Sequence, residues 1–499
     1  MTAAQRSLWA SQQQNPTAPV QNMAEVARLH PVGGRAIDPA RLAGAFAQVV
    51  QASDALRTRI VVDHGEPRVV LRPPADTAET AVLEVPLAGA SAWCNERVRV
   101  PIDMSVSAFD SVVLVHEDDT VTWYLGLHHT VTDATSSSLV FNAVAAAYRG
   151  DALESSSYYR WADEQAAVDD RRTERAARHW RNRVPPPPPA QLYNGEHAPS
   201  AVSHRLSVPF DADLQSRIEH RLDDDLRLLS ADLSWSAFFL TATSALIARV
   251  TGAQSFSVGL PVHQRNSVAA RGVIGPVMQV YPVDVTVEPT DTFRSLHARV
   301  ARSVMTTIGN AGSAGAPGGQ EVRAVMNLLP ETEQQRFGDH RADVRWIHSG
   351  ATDPSHLVRV QFTRFGDRPE VHLDLNEAAA GEAHRSRARR HYSALLEAIA
   401  DDPDQAIASV DLLGVEEHQV LDRWGRGPDR PDDAEQLTVA ARLGPLLRGV
   451  NRPVLEGAVL AGGSIELSGD ALWRQTTGVA QWLRSAGVGP GKRVAIDLA

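Results

Sequence analysis

The chain has 499 residues, 43% of them hydrophobic, enough for about three units at roughly 100 to 200 residues per domain. Its 49 basic against 60 acidic residues give a net charge of -11, which argues against a nucleic-acid or membrane partner because both repel a negative surface. A single cysteine, Cys94, excludes an intrachain disulfide framework and a thiolate metal cluster, and it suits a cytoplasmic setting. The stretch from Met1 to His30 lacks the apolar core of a signal peptide, and no apolar run long enough to span a membrane is expected.

From Ala3 to Gln12 the apolar residues recur at helical spacing until QQQNPTAP breaks the pattern. Pro39 to Ser53 starts with a proline tolerated in a first helical turn and keeps an apolar stripe, and Ile60–Val62 and Val69–Leu71 read as strands around HGEP. Ser111–Val115 and Val121–Leu127 are β-rich runs separated by HEDD, and Ser136–Tyr148 reads as an apolar-faced helix. A strand therefore delivers His128 to Asp133 into a loop ahead of a helix. The basic helical stretch Arg171–Arg183 ends at five prolines, Pro185 to Pro189, which predicts a lobe boundary there. Beyond it a second α/β alternation is predicted: Val202–Val208, a helix Ser234–Thr251, a strand Ser255–Leu260, a helix Thr292–Ile308, and strands near Val322–Leu328 and His356–Phe362. After Trp424 the Gly-, Pro- and charge-rich GRGPDRPDDAEQ reads as a linker, with a new helix and strand from Trp473 to Leu498.

The sharpest chemical signal is His128, His129 and, four residues on, Asp133. Imidazole has an unperturbed pKa of about 6.5, so one of the pair can accept a proton or a hydrogen bond from an attacking amine. A packed histidine pair is the bland alternative. If Asp133 turns away from substrate into the protein it needs a cation, and Arg57 in SDALRTRI is the candidate, although spacing alone does not establish the pair. His340, His348 and His356 are too scattered to suggest zinc, and no metal or intrinsic cofactor is expected.

Ala3–Trp9 (AAQRSLW), Ser53–Ile60 (SDALRTRI) and His128–Ser136 (HHTVTDATS) resemble, in order, the first three motifs of nonribosomal peptide synthetase condensation domains. Tyr158–Gln165 (YYRWADEQ) looks like the fourth, and Gly259–Asn266 (GLPVHQRN) with Gly272–Val283 (GVIGPVMQVYPV) looks like the VGxPxxxR stretch and the fifth. The resemblance covers Ala3 to about Trp424. It implies an α/β fold of two chloramphenicol-acetyltransferase-like lobes, a V-shaped pseudo-dimer around a central tunnel, divided as 1–184 and 185–424. Residues 425–440 would be a linker, and 441–499, ending GVGPGKRVAIDLA, resemble the truncated start of an adenylation domain. By the same resemblance His129 is catalytic, His128 is structural, and Asp133 pairs with Arg57. Phosphopantetheine arms of a donor and an acceptor carrier protein would meet in the tunnel.

SLWASQQQNP and QASDALRTRI look most like enterobactin-type, starter-accepting domains. With Met1 so close to the first motif, the donor carrier is expected in trans. Ala134 stands where the family has glycine, Gln279 where the fifth motif has asparagine and Arg160 where the fourth has aspartate, while GNAGSAGAPGGQ lacks the usual sixth motif. Three alternatives are weighed: ester formation with a hydroxyl acceptor by the same residues, a degenerate fold serving as a recruitment platform, which Ala134, Gln279 and the missing sixth motif suggest, and a stand-alone acyltransferase that uses coenzyme A, which shares the His-x3-Asp pattern.

Overall fold

A computed structural model gives the fold and describes every residue except 77–78, 168–170, 190–191, 195–199, 313–321, 330–335, 366–367, 427–457, 463–464, 490–491, 493 and 495–499. Met1–Gly414 form one compact unit and Val415–Ala499 a second.

The first half of the larger unit contributes α1 (Ala3–Gln14), β1 (Asn22–His30), α2 (Pro39–Ala52), β2 (Thr58–Asp63), β3 (Glu66–Leu71), β4 (Ala81–Glu84), α3 (Leu87–Arg97), β5 (Phe109–Val115), β6 (Val121–His128), α4 (Ala134–Arg149), α5 (Tyr158–Ala166) and α6 (Arg171–Asn182). The second half adds β7 (Ser203–Val208), α7 (Ala212–Asp223), α8 (Ala231–Thr251), β8 (Ser255–His263), α9 (Val268–Arg271), β9 (Met278–Thr286), α10 (Phe293–Gly309), β10 (Ala324–Leu328), β11 (Arg336–Phe337), β12 (His340–Ile347), β13 (Val358–Phe365), β14 (Arg368–Asn376) and α11 (Glu382–Asp401). Local chemistry sets many of the ends. Thr2 and Gln5 form a capping box on α1, Asp38 caps α2 ahead of Pro39, and Gly150 and Gly252 close α4 and α8 in the left-handed conformation. The β2–β3 turn places His64 and Gly65 at φ 50° and 84°, as a two-residue hairpin turn requires.

Two six-stranded sheets organise these elements, in the orders β11-β12-β1-β6-β5-β4 and β7-β14-β13-β10-β8-β9. In the first, β6 is buried along its whole length between β1 and β5, and Phe46 of α2 and Phe141 of α4 meet Trp123 at 5.5 and 4.7 Å between ring centres. Ala90, Trp93 and Cys94 of α3 pack on the opposite face against Ala24, Val26 and Tyr124. In the second sheet the apolar face, with Val358, Val360, Phe362 and Leu373, packs on α8, α10 and α11. Strand alternation turns Arg359, Gln361 and Asp374 to the other side. This is a mixed α/β fold of two sheet-based lobes.

The expected division at 184/185 does not separate the sheets. β11 and β12 come from the second half of the chain yet extend the first sheet, with Ala24 opposite Ile347. Their polar, basic sequence, RF and HRADVRWI, carries little of the alternation that reveals a strand. α8 is long and apolar enough to cross a membrane by length and composition alone, but its apolar side chains are buried in the second core. The described parts of the smaller unit are α12 (Val415–Arg426), the antiparallel pair β15 (Ala458–Gly462) and β16 (Ile465–Ser468), and α13 (Gly469–Ser485). Most of the expected linker and the strand expected before Leu498 lie outside the described residues.

Gly275, between α9 and β9, fixes the approach of the second half of the chain to the first. Its N–H donates to Ser136 Oγ at 2.9 Å, the same hydroxyl donates to its carbonyl at 2.7 Å, and a Cβ placed here would lie 2.2 Å from the Tyr158 ring. At φ +156° a side chain would also be strained. Gly275→Ala is therefore expected to lower stability by on the order of 1–3 kcal/mol, measured by denaturant melts; an unchanged midpoint would show that this approach is loose.

Candidate active site

β6 ends at His128, and five residues later Asp133 starts α4 as its N-cap, accepting the Ser136 N–H at 2.7 Å. The chain between them is pinned on both sides. His128 N–H donates to the Ala108 carbonyl at 2.9 Å and His129 N–H to the Gln21 carbonyl at 2.8 Å. Gln5 of α1 donates to the Thr130 carbonyl at 3.1 Å and to the Tyr159 hydroxyl at 3.0 Å, and Tyr159 in turn meets Thr58 at 2.8 Å. Buried Asp54 accepts from Ser157 Oγ at 2.7 Å and Tyr158 N–H at 2.8 Å. The segments that resemble the first, second and fourth motifs thus converge on the histidine loop.

The two histidines have different environments. His128 is fully buried, with Nδ1 accepting the Thr130 N–H at 3.2 Å and lying 2.8 Å from Thr130 Oγ1. Its Nε2 is buried without a hydrogen-bond partner among the described residues. Burial first, then the neighbouring His129, pushes its pKa down to about 3. His129 is half-buried, with Nδ1 2.8 Å from the Thr132 carbonyl. A carbonyl only accepts, so Nδ1 carries the proton and Nε2 keeps its lone pair. Burial lowers the His129 pKa; the Asp133 charge opposes that shift and the Arg359 charge adds to it.

Asp133 does turn inward, but its cation is Arg265, not Arg57. Arg265 Nη2 lies 2.9 and 3.2 Å from the two carboxylate oxygens, and both side chains are 3% exposed. Val277 N–H supplies a further bond at 2.9 Å. Arg265 also donates through Nη1 to the carbonyls of Ala270 (3.0 Å) and Val273 (2.5 Å), and through Nη2 to Ser136 Oγ (2.7 Å). Arg57 is committed elsewhere: its Nη1 donates to the Arg72 carbonyl at 2.7 Å, and the pair lines a small cavity with Asp76 and Ser107. In the sequence Arg265 is the closing arginine of the stretch that resembles VGxPxxxR and stands just past a strand, the two signals that could single it out.

The departures from the motif pattern occupy places that tolerate them. Ala134 is the first residue of α4, half-buried, with no positive φ that would demand glycine. Gln279 Oε1 accepts the Tyr281 hydroxyl at 3.0 Å. The Arg160 side chain is 77% exposed, 3.9 Å from Glu164. The Gly-rich stretch lies largely outside the described residues.

A half-buried imidazole whose Nε2 has no protein partner among the described residues, held by a capped helix and a buried ion pair inside a two-sheet α/β unit, is an arrangement that can accept a proton in acyl transfer. The family described as Condensation domain matches residues 1–312, more than half of the chain, and the chain belongs to that family. Condensation domains are acyltransferases that form peptide bonds in nonribosomal peptide synthesis. An isonitrile lipopeptide synthase of Streptomyces coeruleorubidus is 27% identical over 86% of this chain and 30% of its own length. A dimodular nonribosomal peptide synthase of Bacillus subtilis is 21% identical over 85% of this chain and 18% of its own. The chain thus spans less than a third of these relatives. Among solved structures, the first condensation domain of the calcium-dependent antibiotic synthetase, in complex with a substrate analogue, superposes with a TM-score of 0.68 at 21% identity, over 83% of this chain and 98% of that one. A starter condensation domain of rhizomide synthetase, a mutant in complex with C8-CoA, gives 0.67 at 21% identity, over 83% and 97%.

Two outcomes follow from this geometry. Arg265→Leu leaves the Asp133 carboxylate buried without its cation and is expected to cost about 3 to 5 kcal/mol, whereas Arg57→Leu leaves that pair intact and costs clearly less; equal losses in parallel melts would contradict the pairing. Second, His128 and His297 are buried neutral, their pKa values pushed down by burial from 6.5 to about 3 and about 4. The unfolded chain takes up protons that the native state refuses, so stability should decline as pH falls below about 6.5 and keep declining toward about 4. A melting midpoint flat between pH 7 and 5 would contradict it.

Proposed function

We propose that this chain joins an acyl group held as a thioester on one carrier protein to the amine of an aminoacyl group held on another. The observation that supports the reading most is His129, whose Nδ1 is occupied by the Thr132 carbonyl while Nε2 has no protein partner among the described residues. The acceptor nitrogen attacks the thioester carbonyl, the new C–N bond forms, and the C–S bond breaks. Nε2 accepts a hydrogen bond from the attacking amine nitrogen and steers the proton it sheds, which ends on the departing thiolate. Both reacting groups ride on phosphopantetheine arms, so the chain itself needs no bound cofactor for this step.

In this reading the donor is an aryl or other acyl starter, supported by the enterobactin-like opening. The relative named as a lipopeptide synthase and the solved starter domain are in keeping with an acyl donor. Residues 1–184 and 185–424 serve as the two lobes, with β11 and β12 exchanged into the first sheet. Residues 441–499 open an adenylation domain, on the resemblance of GVGPGKRVAI to that domain's start.

His129→Ala is expected to lower the amount of condensed product by at least about a hundredfold, in line with the weight of a positioned acid–base group, with the melting midpoint unchanged. The assay offers aryl-, fatty-acyl- and peptidyl-loaded carriers with an aminoacyl acceptor carrier and reads the product by mass. Wild-type product from the variant would sink the role given to His129, and exclusive use of peptidyl donors would sink the starter reading alone.

A further inference from the structure

The polar face of the second sheet looks toward the His129 loop. A chain of direct contacts links them: His129 N–H to the Gln21 carbonyl at 2.8 Å, Gln21 Nε2 to Ser11 Oγ at 2.9 Å, and Ser11 to the Asp353 carboxylate. Asp353 opens the turn that leads into β13, and Arg359, on that strand, is near enough for its charge to disfavour the His129 imidazolium.

Among the described residues, the other charges on this face have close partners. Asp374 is fully buried and takes a two-point contact from Arg205, at 2.7 and 2.9 Å, with Gln361 as a further donor. Asp353 accepts from Ser355 through its hydroxyl at 2.6 Å and its N–H at 2.9 Å, besides Ser11. His348 and His356 are held neutral, their pKa values lowered by burial to about 4. Arg359 has no such close partner, although the Asp374 and Asp353 charges act favourably on it from further away. Among the described residues it makes no salt bridge, its Nε is sealed from solvent without a partner, and its one hydrogen bond is a long contact of 3.4 Å from Nη1 to Thr352 Oγ1. Burial lowers its pKa, with the Arg205 charge adding to that shift and the Asp374 and Asp353 charges opposing it.

A guanidinium has five N–H donors in a rigid fork, and the acceptor that satisfies two of them at once is a carboxylate. We propose that Arg359 recognises a carboxylate borne by one of the two substrates that meet at His129. This rests on the condensation reading and adds to it a substrate class. The carboxylate can belong to a dicarboxylic acyl donor or to the side chain of an acidic aminoacyl acceptor; the chemistry at Arg359 is the same.

The test measures binding without turnover. The intact chain is titrated calorimetrically with amide-linked, non-reacting analogues of the cysteamine thioesters, succinyl against pentanoyl on the donor side and aspartyl against leucyl on the acceptor side. In one of the two series the carboxylate-bearing analogue is expected to bind at least about tenfold tighter, which names the source. Arg359→Gln should abolish that preference and Arg359→Lys should keep part of it, with melting midpoints confirming that both variants fold. Equal affinities within both series, or a preference that survives Arg359→Gln, would overturn the proposal. So would a uniform loss of turnover in Arg359→Gln with the affinity ratios unmoved, because that pattern belongs to a group that stabilises the thioester oxyanion. Absence of product from wild-type chain with every carrier pair would sink the condensation reading alone, since the affinity ratio is read independently of it.

Discussion

The burial of the Asp133 carboxylate is the constraint around which the site is arranged. A carboxylate taken out of water is tolerated only where its lone pairs are filled and its charge is matched. Three groups do so together, namely the Ser136 N–H from the helix that Asp133 begins, the Arg265 guanidinium, and the Val277 N–H. Arg265 follows β8 and Val277 precedes β9, so one side chain from the first lobe holds both ends of a connection in the second. Ser136 and Gly275 repeat the link alongside, with Ser136 also accepting from Arg265. The start of α4 is therefore fixed by the opposite lobe as much as by its own cap. Thr132, whose carbonyl orients His129, is the residue just before that fixed point.

That anchoring explains why two adjacent histidines play different parts. β6 is buried on both faces as far as its last residue, His128, so the two environments part where the strand ends. His128 is sealed, bonded to its own loop through Thr130, and too costly to protonate. It shapes the loop as a neutral polar wedge. His129 lies beyond the last strand residue, half-buried, with one nitrogen committed and one free. Its neutrality at ordinary pH comes from burial and from Arg359, against the pull of Asp133. An imidazole so balanced can accept a proton without being charged beforehand.

Much of this is legible in the sequence where local rules decide. The run from Val121 to His128, the loop to Asp133 and the apolar-faced helix after it form as their periodicity and capping chemistry indicate, because β6 is central and α4 is amphipathic. His129 is singled out by its doubled histidine and by the order of the surrounding motifs. The cation for Asp133 is not legible: Arg57 and Arg265 are both arginines in motif segments, and only the three-dimensional path of the chain decides which guanidinium arrives. The pairing of β12 with β1 escapes for a related reason, since a strand carrying His340, Arg341, Asp343 and Arg345 shows little alternation and its partner lies more than three hundred residues away. Asp54, Gln5 and Tyr159 escape because a polar residue that satisfies another segment's backbone looks, in sequence, like any surface polar residue.

The positions that break the family pattern can be sorted by what their side chains touch. Ala134 needs only a helical backbone, Arg160 faces solvent, and Gln279 is occupied by Tyr281, so none of the three alters the geometry around His129. A degenerate platform would be expected to lose the costly features first, since nothing maintains a buried ion pair or a neutral histidine once chemistry is gone. This chain keeps both. On the polar face of the second sheet Arg359 makes no salt bridge among the described residues, and the Asp374 and Asp353 charges favour it only from a distance. Arg359 is half-buried with its Nε sealed and unpartnered, and in the reading proposed for it a substrate carboxylate would supply the oxygens that its fork lacks. The groups proposed for proton handling and for substrate choice thus stand on different sheets, and the Asp133–Arg265 pair ties the start of α4 to the connection between β8 and β9.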